Sequence, residues 1–447
     1  MSRAAILLPL VLPLLADLCA QGTPDVEGII TAGRKDNQVM AHLDHLSNGI
    51  GGRLTGSYAL ILAAEWAAKR FESFGLEGVQ VLEAGTIPVG FDRGPWFGRM
   101  IEPDARSLKF STNAWSAGTK GVQRGPAVLA TDRDQLAGAW VLTAGGRRRG
   151  EGSNQLSVQE LIEAGALGTI RSVGSERITT GGRWPQSMAE LPARPRINMA
   201  GSDFDDISAR LEAGEDVVLE FDIRNYFREG PFPFPNVVAD IPGSEFPDQY
   251  VIIGAHLDSW DDGAGTVDNG TGTSTTIEAA RILMDAGVRP RRTIRFMLFG
   301  GEEQGLHGSR SYVRANPDLM PKISAVLVHD LGSDYLSSIR VTEDLRADFE
   351  RVLAPVMTLN REFPFELEIV DSLRKGSSDH DSFLEAGVPG FIWRQTGRAN
   401  YSVGHTWQDT YEQAIAEYQE HSSIVIALAA YGLASLDHLI SRKGVLR

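Results

Sequence analysis

Four stretches of the chain are predominantly apolar: VIIGAH (251–256), TIRFMLFGG (293–301), KISAVLV (322–328) and VPGFIWR (388–394). Apolar runs of this length, closed by Gly and acidic residues, predict strands buried on both faces of a sheet. Between the first two lies TSTTIEAARILMDAG (273–287), whose apolar positions recur at helical spacing. Tyr411 to Ser441 predicts a long C-terminal helix, and DHDSFLEAG (379–387) a short one. Repeated strand–helix alternation gives an α/β fold: a mostly parallel mixed sheet with helices on both faces.

Upstream, VEGIITAGRKDNQVMAHLDHLS (26–47) and YALILAAEWAAKRFESFG (58–75) read as two helices, separated by a Gly-rich turn. VQVLEAGTIPV (79–89) reads as a strand. From about Asn113 the texture changes to short strand-like runs (PAVLA, AWVLTAG, GTIRSVG, DVVLEFDI) among Arg- and Gly-rich loops. This stretch, 113–227, is expected to be an inserted β-rich domain between two parts of one larger domain, 21–112 and 228–447. FREGPFPFPNVVADIPGSE (227–245) reads as a Pro-rich linker back to the main sheet. The first twenty residues have a basic start, an apolar centre and small residues at the end, the pattern of a signal peptide, so an exported protein is expected. Cys19 is the only cysteine, so the exported chain would form no disulfide. A net charge of −15 argues against nucleic acid and anionic membranes as partners, and no second apolar stretch predicts a stable membrane anchor.

The chemistry gathers where the strands end. His256 closes the first run, with Asp258 two residues on. Asp268 sits in the Gly-rich loop DGAGTVDNGTG, Glu302 and Glu303 close the second run, Asp330 follows the third, and His405 stands in GHTWQDT. Open α/β sheets place ligands at the carboxyl ends of their strands. One His and one private carboxylate per ion, with Asp268 shared, would hold two divalent ions and leave Glu302 free as a general base. Three ligating carboxylates and a bridging hydroxide balance the charge of the two divalent ions, and mixed imidazole and carboxylate ligands suit zinc. Asp258 is expected to accept a hydrogen bond from the second ring nitrogen of His256. Glu302 and Glu303 are expected to point to opposite sides at the end of an extended segment. No glycine-rich phosphate motif follows any strand. His42-Leu43-Asp44 repeats the HLD triplet, but inside a helical pattern, so His42 and His45 are read as surface or packing residues. His307 and His380 are read as capping or packing residues, and the RRRG run (147–150) as a solvated loop.

His256-Leu257-Asp258, Asp268, Glu302-Glu303, Asp330 and His405, in this order, resemble the di-zinc exopeptidases of metallopeptidase family 28, with HLDSWD most similar to its carboxypeptidase Q group. The resemblance implies two zinc ions per chain, His256 and Asp330 on one, Glu303 and His405 on the other, Asp268 between them, and Glu302 as base. It also implies a protease-associated character for the insert, resting on GALGTI and its flanking strands, and a homodimer as a possible assembly. His329 and Gly404 depart from the family pattern and bear on substrate contacts, not on metal. The expected activity is hydrolysis of dipeptides or short peptides, with a plain zinc aminopeptidase as the alternative. A catalytically silent binding protein or a one-zinc cyclotransferase on the same fold is disfavoured by the complete set of ligands. In RQTGRANYSVG, Arg394 and Arg398 are candidates to capture a terminal carboxylate, and Tyr401 to donate to the developing oxyanion.

Overall fold

A computed structural model describes residues 24–143, 156–330, 332–397 and 401–445. The signal-like segment 1–20, the RRRG run, Arg398 and the side chain of Tyr401 lie outside the described residues.

The central sheet contains β1 (Glu77–Glu102), β2 (Val218–Ile241), β3 (Phe246–His256), β4 (Arg292–Phe299), β5 (Ile323–Val328) and β6 (Gly390–Ile392). Across the sheet the order is β6-β5-β3-β4-β2, with β1 on β2. β6, β5, β3 and β4 run parallel, while β4–β2 and β2–β1 are antiparallel. Period-two alternation sends Val251, Ile253, Ile294, Phe296 and Leu327 to one face and Ile252, Met297, Val326 and Val328 to the other. The first face is covered by α1 (Pro24–Lys35), α2 (Val39–Asp44), α3 (Tyr58–Phe74), α4 (Thr271–Asp285) and α7 (Ala416–Ala434); the second by α5 (His307–Ala315) and α6 (His380–Glu385). α4 is buried from Thr271 to Leu283, which is why its pattern is apolar or small on nearly every side.

Two expectations are corrected. The first N-terminal helix is broken at Asp36–Gln38, where the Asn37 side chain accepts the amide of Val39 at 3.1 Å and donates to the Gly33 carbonyl at 3.0 Å. An Asn that satisfies both backbone ends competes with helix continuation. The Pro-rich stretch is no linker: residues 227–241 of it lie within β2, one strand of 24 residues. β2 meets β4 only at 237–241 and the strand Gln123–Leu129 only at 218–221, so its other edge is open between. Pro233 and Pro235 sit in that interval opposite Thr86 and Glu83 of β1. A residue without an N–H is tolerated there because no second ladder needs it.

The β1–β2 ribbon carries the sheet onward into a second layer: Gln123–Leu129, Trp140–Thr143, Gly168–Ser172 and Arg196–Met199 run parallel to one another, with Phe110–Thr112 antiparallel at the far edge. This part has its own core of Trp140, Leu142, Ile170, Ile197, Phe221 and neighbours.

Candidate metal centre

The site stands at the carboxyl ends of β3, β4 and β5. His256 is the last residue of β3 and is buried. Its Nε2 lies 3.2 Å from Asp268 Oδ1 and 3.0 Å from Asp330 Oδ1. On the other side, His405 Nε2 lies 2.9 Å from Asp268 Oδ2 and 3.0 Å from Glu303 Oε2. Asp268 therefore turns one oxygen toward each imidazole. His256, Asp268 and Asp330 form one group whose ligand atoms lie within 4.8 Å of one another, and Asp268, Glu303 and His405 form the other. The second oxygen of Glu303, Oε1, is buried without a hydrogen-bond partner among the described residues. Converging acids and imidazoles with an orphaned buried carboxylate oxygen suit a pair of divalent cations.

The electrostatics are those of a site built for positive charge. Burial disfavours the charged form of His256, but Asp330, Glu302 and the hydrogen bonds to Asp268 and Asp330 outweigh it and raise its pKa well above the usual value. His405 is pushed up to about 10: burial works against it, and hydrogen bonds to Asp268 and Glu303 win. Burial, with repulsion from Asp268, lifts Glu303 to about 7. Burial also lifts Glu302 well above the carboxylate range; His256 opposes this, and Asp330, Asp379 and Glu303 add to it. The Glu302 carboxylate belongs to neither metal-type group.

Asp258 does not act as expected on the His256 ring. Nδ1 of His256 meets the backbone carbonyl of Asp258 at 2.9 Å, while the carboxylate stays 3.8 Å away. With Nδ1 engaged by that carbonyl, Nε2 is the ring atom turned toward Asp268 and Asp330. The Asp258 carboxylate instead accepts the Thr55 hydroxyl at 2.6 Å and the amides of Glu302 and Glu303 at 3.2 and 3.3 Å. It thus pins the turn that presents the Glu pair. That turn follows Phe299, the last residue of β4, so the two glutamates diverge from a turn and not from an extended segment.

Several positioning groups escaped the sequence reading. Arg53 is fully buried and donates to the carbonyls of Leu257, Ala264 and Gly265 at 2.9, 2.9 and 2.7 Å. Gly265 has φ +60, and a Cβ there would stand 2.2 Å from Ser259 Oγ, so this turn admits only glycine. Asp409 holds the backbone of the Asp268 loop. His405 itself has φ +57, uncommon for a non-glycine residue. Its carbonyl accepts the Thr180 amide at 2.7 Å, and Thr179 bridges Thr406, so a loop of the second layer fixes the His405 segment. No local motif marks these contacts, because each joins residues far apart in sequence.

The remaining histidines fall elsewhere. His42 is buried rather than at the surface, 3.3 Å from Glu278, and His45 stacks on Trp66. His307 opens α5 and lies against Trp184, and His380 is buried at the start of α6. His329 is buried, its Nδ1 2.7 Å from Thr275 Oγ1 and its Nε2 3.1 Å from Gln395 Nε2. Arg394 is exposed and shares Glu368 with Arg340.

Comparison with known proteins places this geometry. The family model described as "Peptidase family M28" matches residues 236–429. Carboxypeptidase Q of Bos taurus is 28% identical over 429 residues, covering 92% of this chain and 88% of the relative. A crystal structure of a peptidase M28 precursor from Shewanella amazonensis SB2B superposes with a TM-score of 0.67 at 25% identity, covering 93% of this chain and 97% of that one. A zinc aminopeptidase from Bacillus subtilis shares the fold, with a TM-score of 0.56 at 20% identity over 88% of this chain and 93% of that one.

Proposed function

We propose that this chain, whose residues 236–429 belong to peptidase family M28, is an exported di-zinc exopeptidase acting on dipeptides or short peptides with free termini. The observation that carries the reading is Asp268, which faces His256 with one carboxylate oxygen and His405 with the other. His256 and Asp330 would hold one zinc, Glu303 and His405 the second, and Asp268 both. Bound zinc supplies Lewis-acid polarisation of the scissile carbonyl and of water.

The chain's own groups do the rest. Glu302, outside both ligand groups, accepts the proton of the attacking water and returns it to the leaving amine. Asp258 holds the backbone of the Glu302-Glu303 turn, so base and ligand keep their separate directions. Of the candidates read from the sequence, Tyr401 would serve the oxyanion and Arg398 the substrate side, while Arg394, paired with Glu368, lines a groove wall without binding substrate. The similarity to carboxypeptidase Q supports a peptide with a free carboxylate over a plain aminopeptidase substrate. Residues 113–227 are proposed as the inserted, protease-associated-like unit, with the loop at Thr179 and Thr180 supporting the His405 segment. Export rests on the signal-like residues 1–20; among the described residues no helix is long and apolar enough to cross a membrane.

The test is a substrate comparison on purified, zinc-loaded protein. Unblocked dipeptides should be cleaved with far higher kcat/KM than aminoacyl nitroanilides, which lack a carboxylate. Equal cleavage of both would make the protein a plain aminopeptidase.

A further inference from the structure

A groove of about 750 Å³ opens from Asp330, one of the residues of the first ligand group. Four cations line it, Arg340, Arg374, Lys375 and Arg394, against two acids, Asp330 and Asp371. In a chain of net charge −15, four cations beside one groove call for a local reason. Three of the four are already engaged. Arg340 and Arg394 share Glu368 at 2.9 and 3.4 Å, and Lys375 pairs with Glu385. The guanidinium of Arg374 makes no hydrogen bond or ion pair with any described residue.

The loop that carries Arg374 is held in place. Asp381 accepts the amides of Gly376 and Ser377 at 2.8 and 2.9 Å, and Ser377 sits at φ +63. Asp381 belongs to α6, whose first residue, His380, is buried and borders the same groove. Trp393 also lines the groove; it is buried, and its indole N–H has no partner among the described residues. A fixed loop thus presents an uncommitted guanidinium, and a spare donor lies nearby. A planar fork of N–H groups matches a carboxylate in two parallel hydrogen bonds.

We infer that Arg374 receives the free α-carboxylate of the substrate, making this groove the carboxyl-side subsite of the centre. The inference rests on the exopeptidase reading above and adds the residue that measures the distance to the terminus. Arg340 and Arg394, tied to Glu368, shape the wall and add positive potential. Asp381 acts through the loop, as a positioning residue.

The experiment compares one dipeptide with its C-terminal amide on zinc-loaded wild type, Arg374→Ala, Arg374→Lys and Arg394→Ala, with melting temperature and zinc content measured for each. Wild type should prefer the free acid. Arg374→Ala should raise KM for the acid by about 10- to 100-fold, the range for a charge-assisted hydrogen-bonded pair. It should leave the amide nearly unaffected, erasing the preference with folding and zinc unchanged. Arg374→Lys should restore part of it, and Arg394→Ala should keep most of it. A preference undiminished in Arg374→Ala, or abolished only in Arg394→Ala, overturns the assignment and leaves the exopeptidase reading standing. A wild type indifferent to amidation overturns the carboxylate-requiring reading itself.

Discussion

Asp409 holds Asp268 by its backbone. Oδ2 of Asp409 accepts the Asp268 amide at 3.1 Å, and Oδ1 accepts those of Val267 and Thr266 at 2.6 and 2.9 Å. Asp268 is the one residue common to the two ligand groups, so the carboxylate beneath it sets where both groups meet.

Asp409→Ala should therefore strip three buried amides of their acceptor. Each unsatisfied buried group costs roughly 1–3 kcal/mol, and the three will not add fully because the loop relaxes. The expected outcome is a lower melting temperature together with a roughly 10- to 100-fold loss of metal affinity, as for other groups that orient ligands. Asp409→Asn keeps one acceptor oxygen and should fall between. Calorimetry and competition with a chelator read the two effects separately.

Glu302 and Glu303 are neighbours for which different work is proposed. Glu302→Gln should retain metal and lose about 100- to 10,000-fold in kcat, the span of general-base catalysis. Glu303→Gln removes one side of the Asp268–Glu303–His405 group and should lower metal content. Equal loss of metal in both variants would show that the division is wrong.

Arg53 supports the same crevice from below by donating to backbone carbonyls on both sides of the loop, Leu257 before it and Ala264 and Gly265 within it. A lysine has the charge but not the planar fork, so Arg53→Lys should leave buried carbonyls unpaired. Thermal or urea unfolding should show a loss of about 2–5 kcal/mol, from a few unsatisfied groups at 1–3 kcal/mol each.

What the sequence made legible was the chemistry at strand ends. His256, Asp268, Glu303, Asp330 and His405 stand where apolar runs stop or in the loops that follow, and a parallel sheet brings such ends to one edge. The supporting contacts were not legible. Thr55 on Asp258, Asp409 on the Asp268 loop and Thr180 on the His405 carbonyl span 203, about 140 and 225 positions. The last two act on backbone groups that every residue possesses, and the first joins two common polar side chains, so no residue type announces them. The Pro-rich part of β2 misled for a related reason: proline tells which ladder is missing, and only the pairing shows that one edge was free.

Away from the site, His421 on α7 gives a pH test of the fold. Burial, helped by repulsion from Arg34, lowers its pKa to about 4, and its Nε2 has no partner among the described residues. The unfolded state, near the ordinary 6.5, binds a proton that the folded state refuses between pH 6.5 and about 4. Stability from this group is therefore present above pH 6.5 and lost as pH falls through that window. His421→Leu should flatten this part of the stability profile, measured by denaturant unfolding from pH 4 to 7. An unchanged slope would show that His421 is not its source.

The central claim is that Asp268 joins two metal sites in one chain. Metal analysis of purified wild type and Asp268→Asn tests it most directly, because the substitution removes the one carboxylate that faces both imidazoles. The account predicts close to two zinc per chain in the wild type and loss of both, with activity, in the variant. A wild type fully active with one tightly bound metal, or an Asp268→Asn variant that keeps two, would contradict it.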